Sequence, residues 1–141
     1  MKEKIITDAD EIAMFCRLQL HAKRDLPIRS SEMGVLIYVQ KQEDGVTPLM
    51  ISNFFHISKP SVTTMINELI RKHFLIKIPS DTDRRSYTVS ITDKGKELVQ
   101  SAHDEYFQVI SLLEDQMGGE DFNSLIELII KANAILSKER K

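Results

Sequence analysis

Between Pro48 and Ile91 two helical segments run into two β-favouring ones within about forty residues, and that leaves few folds open. Pro48 suits the first turn of a short helix running from Leu49 to Phe55. The run Ile57-Ser58-Lys59-Pro60-Ser61 interrupts it. Ser58 can cap a second helix with Pro60 inside its first turn, and Val62, Met65, Ile66, Leu69 and Ile70 recur at the spacing of a buried helical stripe. The period then shortens to that of strands. Phe74 to Pro79 and Ser86 to Ile91 are rich in β-favouring residues, and they flank Ser80-Asp81-Thr82-Asp83-Arg84-Arg85, a polar loop suited to a hairpin tip.

The flanks are helical. Apolar residues at helical spacing begin with Ile5, Ala9, Ile12, Phe15, Cys16 and Leu20 and stop before Pro27. A second helix starts near Ser30, a good N-cap residue, and carries Met33, Leu36, Ile37 and Gln40. Glu43-Asp44-Gly45 ends it, and Val46-Thr47 is a brief extended piece. After the hairpin, Thr92 caps a long helix with the stripe Leu98, Val99, Ala102, Tyr106, Val109, Leu113 and Met117, which Gly118-Gly119 ends. A last helix from about Glu120 carries Phe122, Leu125, Ile126, Ile129, Ala132, Ile135 and Leu136.

The expected fold class is therefore mainly α (α+β). It is a winged helix-turn-helix with a β-hairpin wing, flanked by N- and C-terminal dimerisation helices. Residues 1–141 read as a single domain, with a winged-helix lobe over about 28–95 and dimerisation helices over about 3–25 and 96–138. Three long amphipathic helices exceed what one small core requires, so a homodimer is expected.

Charge is distributed unevenly. From His56 to Arg85 there are six basic residues and three acidic ones, a segment of +3 in a chain of net −2, which leaves −5 elsewhere. A local basic segment on an acidic body confines attraction for phosphate to one face. The single Cys16 excludes an intrachain disulfide framework and points to a reducing compartment. Met1 to Glu11 lacks the apolar core of a signal peptide, and no stretch approaches the ~20 apolar residues that span a bilayer. The expected location is the cytoplasm, with no membrane partner. The sequence has no glycine-rich phosphate loop, no nucleophile elbow and no clustered acid-base set, so an enzyme is not expected.

From Leu49 to Gly95 the sequence resembles the MarR family of bacterial regulators. The resemblance rests on "ISNFFHISKPSVTTMINELIRKHFL", the wing "SDTDRRS" and the strand-to-helix join "VSITDKG". The wing's Asp83-Arg84-Arg85 ends seven residues before Thr92, the spacing that family uses. The flanking helices extend the likeness over nearly the whole chain. Family members usually carry glycine at the end of the recognition helix, where a left-handed residue turns the chain; this sequence has His73.

The resemblance implies a regulator of transcription, in the usual family mode a repressor, that binds a palindromic operator in double-stranded DNA. Short hydroxyl and basic side chains suit a helix that enters the major groove. The candidate recognition-helix residues are Ser58, Lys59, Pro60, Ser61, Thr63, Thr64 and Asn67, with Arg71 and Lys72 near phosphates at its far end. By resemblance, Arg85 enters the minor groove, steadied by Asp83, while Arg84 and Lys77 sit on neighbouring phosphates. A narrow minor groove concentrates negative potential, and guanidinium sheds water readily enough to enter it.

Two effector modes stay open. One is a small aromatic or phenolic ligand in a pocket between lobe and dimerisation helices, with Met14, Phe15, His21, Met33 and Tyr38 as candidate lining. The other is thiol-based peroxide sensing through Cys16. Cys16 and Arg24 match the hydroperoxide-sensing branch of the family in position, but Gly34 stands where that branch has a tyrosine. The four histidines include no pair at i, i+4 spacing, so no metal or other cofactor is expected. A winged helix that binds protein rather than DNA is the alternative from another class.

Overall fold

The structure is a computed structural model. It describes residues 2–21, 26–83 and 85–139, and the side chains of all of these except 20, 21, 104–106 and 139. In chain order the elements are α1 (Lys2–His21), α2 (Ser30–Lys41), α3 (Pro48–Phe55), α4 (Lys59–Arg71), β1 (Leu75–Pro79), β2 (Tyr87–Ile91), α5 (Asp93–Met117) and α6 (Gly119–Glu139). This is the mainly helical winged helix-turn-helix expected from the sequence, with its hairpin wing and long flanking helices.

The chain forms two compact units, one of residues 1–27 with 102–128 and the other of residues 28–101 with 129–141. In the first unit α1 leaves Ile5, Ile6, Ile12 and Leu18 exposed, Ile12 to 66%. Lys4 pairs with Asp8 one turn on, at 2.7 Å. Gly118, at φ 89°, lets α5 turn into α6, and Phe122 N–H bonds back to its carbonyl at 3.0 Å.

The second unit holds the main core. Met33, Leu36, Val46, Ile51, Val62, Ile66, Leu69 and Val89 are closed to solvent. They come from α2, α3, α4, β2 and the bridge residue Val46, and α4 packs on α3 and β1. Of the five residues expected on the apolar stripe of α4, Val62, Ile66 and Leu69 are buried, while Met65 and Ile70 lie at its half-buried margins. The hairpin is antiparallel, with Leu75 opposite Ile91, Lys77 opposite Val89 and Pro79 opposite Tyr87. Val46 joins it by a two-way bridge to Val89, at 3.1 and 2.8 Å.

The helix starts show which local signals operate. Thr47 caps α3, its hydroxyl accepting from Met50 N–H at 3.2 Å, with Pro48 in the first turn. Ser58 caps α4 in the same way, accepting from Ser61 N–H at 3.3 Å. One cap differs from expectation: Arg29, not Ser30, occupies the N-cap of α2. The reason is Glu32, whose carboxylate accepts from Arg29 N–H at 2.9 Å and so fixes the cap one residue earlier.

At the end of α4, His73 takes the left-handed conformation, φ 69°. Phe74 N–H bonds to Leu69 O and His73 N–H to Ile70 O, both at 2.9 Å. That paired pattern is the Schellman closure normally built on glycine. The Thr92 hydroxyl then donates to His73 O at 2.7 Å and accepts from Gly95 N–H at 2.9 Å, so one side chain caps α5 and holds the turn. Gly95 packs against that turn. A Cβ there would lie 2.4 Å from Phe74 O and 2.7 Å from Ile91 Cγ1. Gly95→Ala is expected to destabilise the fold by roughly 1–3 kcal/mol, the usual range for overpacking. Urea denaturation measures this, and an unchanged midpoint would show that the join has room to spare.

Candidate nucleic-acid interface

The sequence of α4 divides its side chains between two jobs. While Val62, Ile66 and Leu69 face the core, Ser58, Lys59, Pro60, Ser61, Thr63, Thr64 and Asn67 are all exposed. Their hydroxyls differ in availability. Ser58 Oγ and Ser61 Oγ bond each other at 2.9 Å, and Thr64 donates back to Pro60 O at 3.0 Å. Among the described residues the Thr63 and Asn67 side chains form no intrachain hydrogen bond. With Lys59 they recur every fourth residue and share one helix face. That face is able to donate and accept toward an external polar partner.

The far end of the helix is partly neutralised by its own carboxylate. Glu68 pairs with the Arg71 guanidinium through both oxygens, and its Oε1 lies 3.6 Å from Lys72 Nζ. The Arg71 hydrogen bond, with smaller help from the charges of Arg71 and Lys72, holds the Glu68 carboxyl below its ordinary range. The same bond raises Arg71 further. Arg71 and Lys72 thus meet any external anion in competition with Glu68.

The wing is ordered by short polar side chains. Ser80 Oγ accepts from Thr82 N–H and Asp83 N–H, both at 3.3 Å. Asp83 accepts from the backbone N–H of Arg85 at 3.0 Å and from the Ser86 hydroxyl at 3.1 Å. Asp83 therefore steadies Arg85 through its main chain, and the Arg85 side chain stays exposed. Lys77 lies with its ammonium 4.3 Å from the centre of the Tyr87 ring across the hairpin. Arg84 lies outside the described residues.

A sequence profile of the MarR family matches residues 25–86. A curated relative, the uncharacterised HTH-type transcriptional regulator YdgG of Bacillus subtilis, is 23% identical over 101 residues, which is 70% of this chain and 66% of that one, just under two thirds. A mutant of MarR from E. coli complexed with operator DNA superposes with a TM-score of 0.78 over 92% of this chain and 95% of that one, at 18% identity. The PcaV transcriptional regulator of Streptomyces coelicolor, in complex with its natural ligand, gives a TM-score of 0.76 over 89% of each chain at 14% identity. Residues 25–86 are thus MarR-like in sequence, and the described chain shares the winged helix-turn-helix fold of these solved structures.

The candidate effector residues of this MarR-like chain are spread over both units. Met14 and Phe15 lie exposed on α1, as does the free Cys16. Met33 is fully buried in the second unit, so a lining role would require that core to open. Tyr38 is half-buried, its ring 4.5 Å from that of Phe54 and edge-on to Phe55 at 5.9 Å. The side chain of His21 and the whole of Arg24 lie outside the described residues.

Two features escaped the sequence reading. The brake that Glu68 places on Arg71 was legible in the i, i+3 spacing, had the acid been weighed with the bases. His56, left-handed at φ 55° as the C-cap of α3, carried no signal beyond standing where glycine or asparagine is usual.

Because Glu68 titrates below the ordinary range, the pair supports the fold above the unfolded-state value and loses that support as pH falls through the lowered folded one. In an NMR pH titration the Glu68 carboxyl is expected to have a midpoint below that of exposed glutamates, and Arg71→Gln should move it back up. A midpoint indifferent to Arg71→Gln would remove the ion pair as its cause.

Proposed function

We propose that this protein is a sequence-specific regulator that binds palindromic operators in double-stranded DNA as a homodimer and, in the family's usual mode, represses transcription. The reading is carried by one observation. A helix with an exposed Lys59, Thr63 and Asn67 face, free of intrachain side-chain bonds among the described residues, shares a unit with a hairpin whose Asp83 orders the backbone of an exposed Arg85. The first element suits base edges in a major groove and the second suits the narrow minor groove beside it. Lys59, Arg71, Lys72 and Lys77 act on phosphates in this reading, and Ser58, Ser61 and Thr64 order or contact the backbone. The complex of E. coli MarR with operator DNA supports it.

A dimer accounts for the apolar side chains that the single chain leaves in water. Ile5, Ile12 and Leu18 on α1, and Ile130, Ile135 and Leu136 on α6, are all more than half exposed. Large apolar side chains exposed in such number suit burial against a partner. Two-fold pairing would set the recognition helices about one DNA turn apart, ~34 Å. Among the described residues no helix is long and apolar enough to cross a membrane, and a DNA partner assigns the protein to the cytoplasm.

For release from DNA we favour a small aromatic or phenolic ligand, with Met14, Phe15, His21, Met33 and Tyr38 as its candidate contacts; PcaV in complex with its natural ligand supports release by a ligand, not the ligand's chemistry. The exposure of Cys16 favours a second mode, oxidation of its thiol.

Arg85→Ala is expected to weaken operator binding by about 1–3 kcal/mol while fold and dimer survive. Anisotropy titration of a selected operator measures this, and unchanged affinity would take the wing out of the mechanism. A salt titration on random duplex separates the regulator, with a steep slope, from a protein-binding adaptor with almost none. In the release experiment, aromatic acids should free the operator from the natural protein and from Cys16→Ser alike. Release by peroxide that disappears in Cys16→Ser would instead select the thiol.

A further inference from the structure

Beside the first turn of α4 the second unit opens into a groove of about 930 Å³, lined by Ser52, Asn53, His56, Ser58, Ser137 and Lys138 among others. Its walls are α3, the turn into α4, and the last turns of α6. Two hydrogen bonds hold them. Ser52 Oγ donates to Ile57 O at 2.6 Å, fixing the turn on α3. Ser137 Oγ lies 3.3 Å from His56 Nε2 and donates its own proton to Asn133 O at 2.6 Å, so the imidazole N–H is the donor between them. The next residue is Lys138, which thereby comes to line the same groove as Ser58 and Ser61.

We infer that the end of α6 is a further DNA-binding element, with Lys138 contacting a backbone phosphate and the His56–Ser137 pair positioning it. This rests on the reading of the chain as a DNA-binding regulator and extends it to a helix otherwise assigned to dimerisation. Three observations converge. Ser58 and Ser61 belong to the start of the recognition helix, so a duplex seated there passes over the groove. Among the described residues the charged lining is a single cation with no carboxylate, and the rest is hydroxyl, amide, imidazole and the apolar Ile57. The described side chains of residues 129–138 include two lysines, Lys131 and Lys138, and no acid, so this end of α6 brings positive charge to the unit that holds α4. A lysine in a helix's last turn ordinarily complements the helix dipole. Here its neighbours add donors for an anion. A small ligand site would enclose most of its guest; a groove open along the recognition turn suits an extended polyanion better.

The test is binding of a random-sequence duplex, followed by anisotropy across a range of KCl concentrations. Lys138 is exposed, so Lys138→Gln leaves the packing of the helix alone. It should lower affinity several-fold at moderate salt, equally for all sequences, and make the slope of log K against log salt shallower by about 0.9, one phosphate contact. Lys138→Arg should restore the slope. Ser137→Ala, which keeps the charge, should lower affinity less than Lys138→Gln. Natural affinity and slope in Lys138→Gln would overturn the inference, as would a variant that binds DNA normally but loses binding of a small organic anion such as benzoate. If the unaltered protein itself shows no salt-dependent binding, the regulator reading beneath fails as well, so the two failures are distinguishable.

Discussion

The Thr92 hydroxyl is the hinge pin of the unit that holds α4 and the hairpin. Donating to the His73 carbonyl and accepting from Gly95 N–H, it joins the end of the recognition helix, the end of the second wing strand and the start of α5 at one atom. Each bond is worth only about 1 kcal/mol net. Their geometric effect is larger, because they close a turn whose left-handed residue is not glycine. Thr92 N–H adds a bond to Phe74 O at 3.1 Å, and the Lys94 ammonium one to Lys72 O at 3.0 Å. With Gly95 packed against the Phe74 carbonyl, helix and wing are fixed to each other before any ligand arrives. Two grooves of one duplex can be read together only if the helix and the hairpin tip keep a constant separation.

Most of this architecture was legible because it depends on local signals that act alone. Thr47 and Ser58 ahead of proline, the apolar spacing of Val62, Ile66 and Leu69, and the β-favouring runs each specify an element without reference to the rest. Where the reading slipped, a partner a turn or more away decided the outcome. Ser30 is the better capping residue by type, yet Glu32 captures the N–H of Arg29 and moves the cap. Asp83, read as steadying Arg85, accepts from the Arg85 backbone N–H and the Ser86 hydroxyl, as short acids in tight loops tend to do. His56 could not be singled out, since its importance comes from Ser137, far along the chain.

The charges follow a similar logic of restraint. A chain of net −2 whose residues 56–85 carry +3 holds −5 over the rest, which keeps attraction for polyanions local. Within that segment Glu68 sits on Arg71 and Lys72. On the proposed reading a carboxylate there weakens phosphate binding at the far end of the helix, so the outcome depends more on Lys59, Thr63, Asn67 and the wing. Attraction that is indifferent to sequence is reduced and contacts able to discriminate gain weight. For a protein that must choose among many sites, the ratio of specific to non-specific affinity matters more than affinity itself.

The recognition helix is bracketed by two left-handed histidines, and each is tied to a helix shared by both units. At its end His73 is bound through Thr92 to α5, whose first nine residues belong to the unit that holds α4 and whose remainder belongs to the other. Before its start His56 is bound to Ser137 on α6, which crosses back between the same units. Cys16, Met14 and Phe15 all lie in the unit that carries no recognition helix. Continuous helices transmit displacement along their length better than loops do. A displacement of α5 is therefore felt at the His73 end of α4, and one of α6 at the His56 end. Moving both ends together would translate α4, while moving one would tilt it.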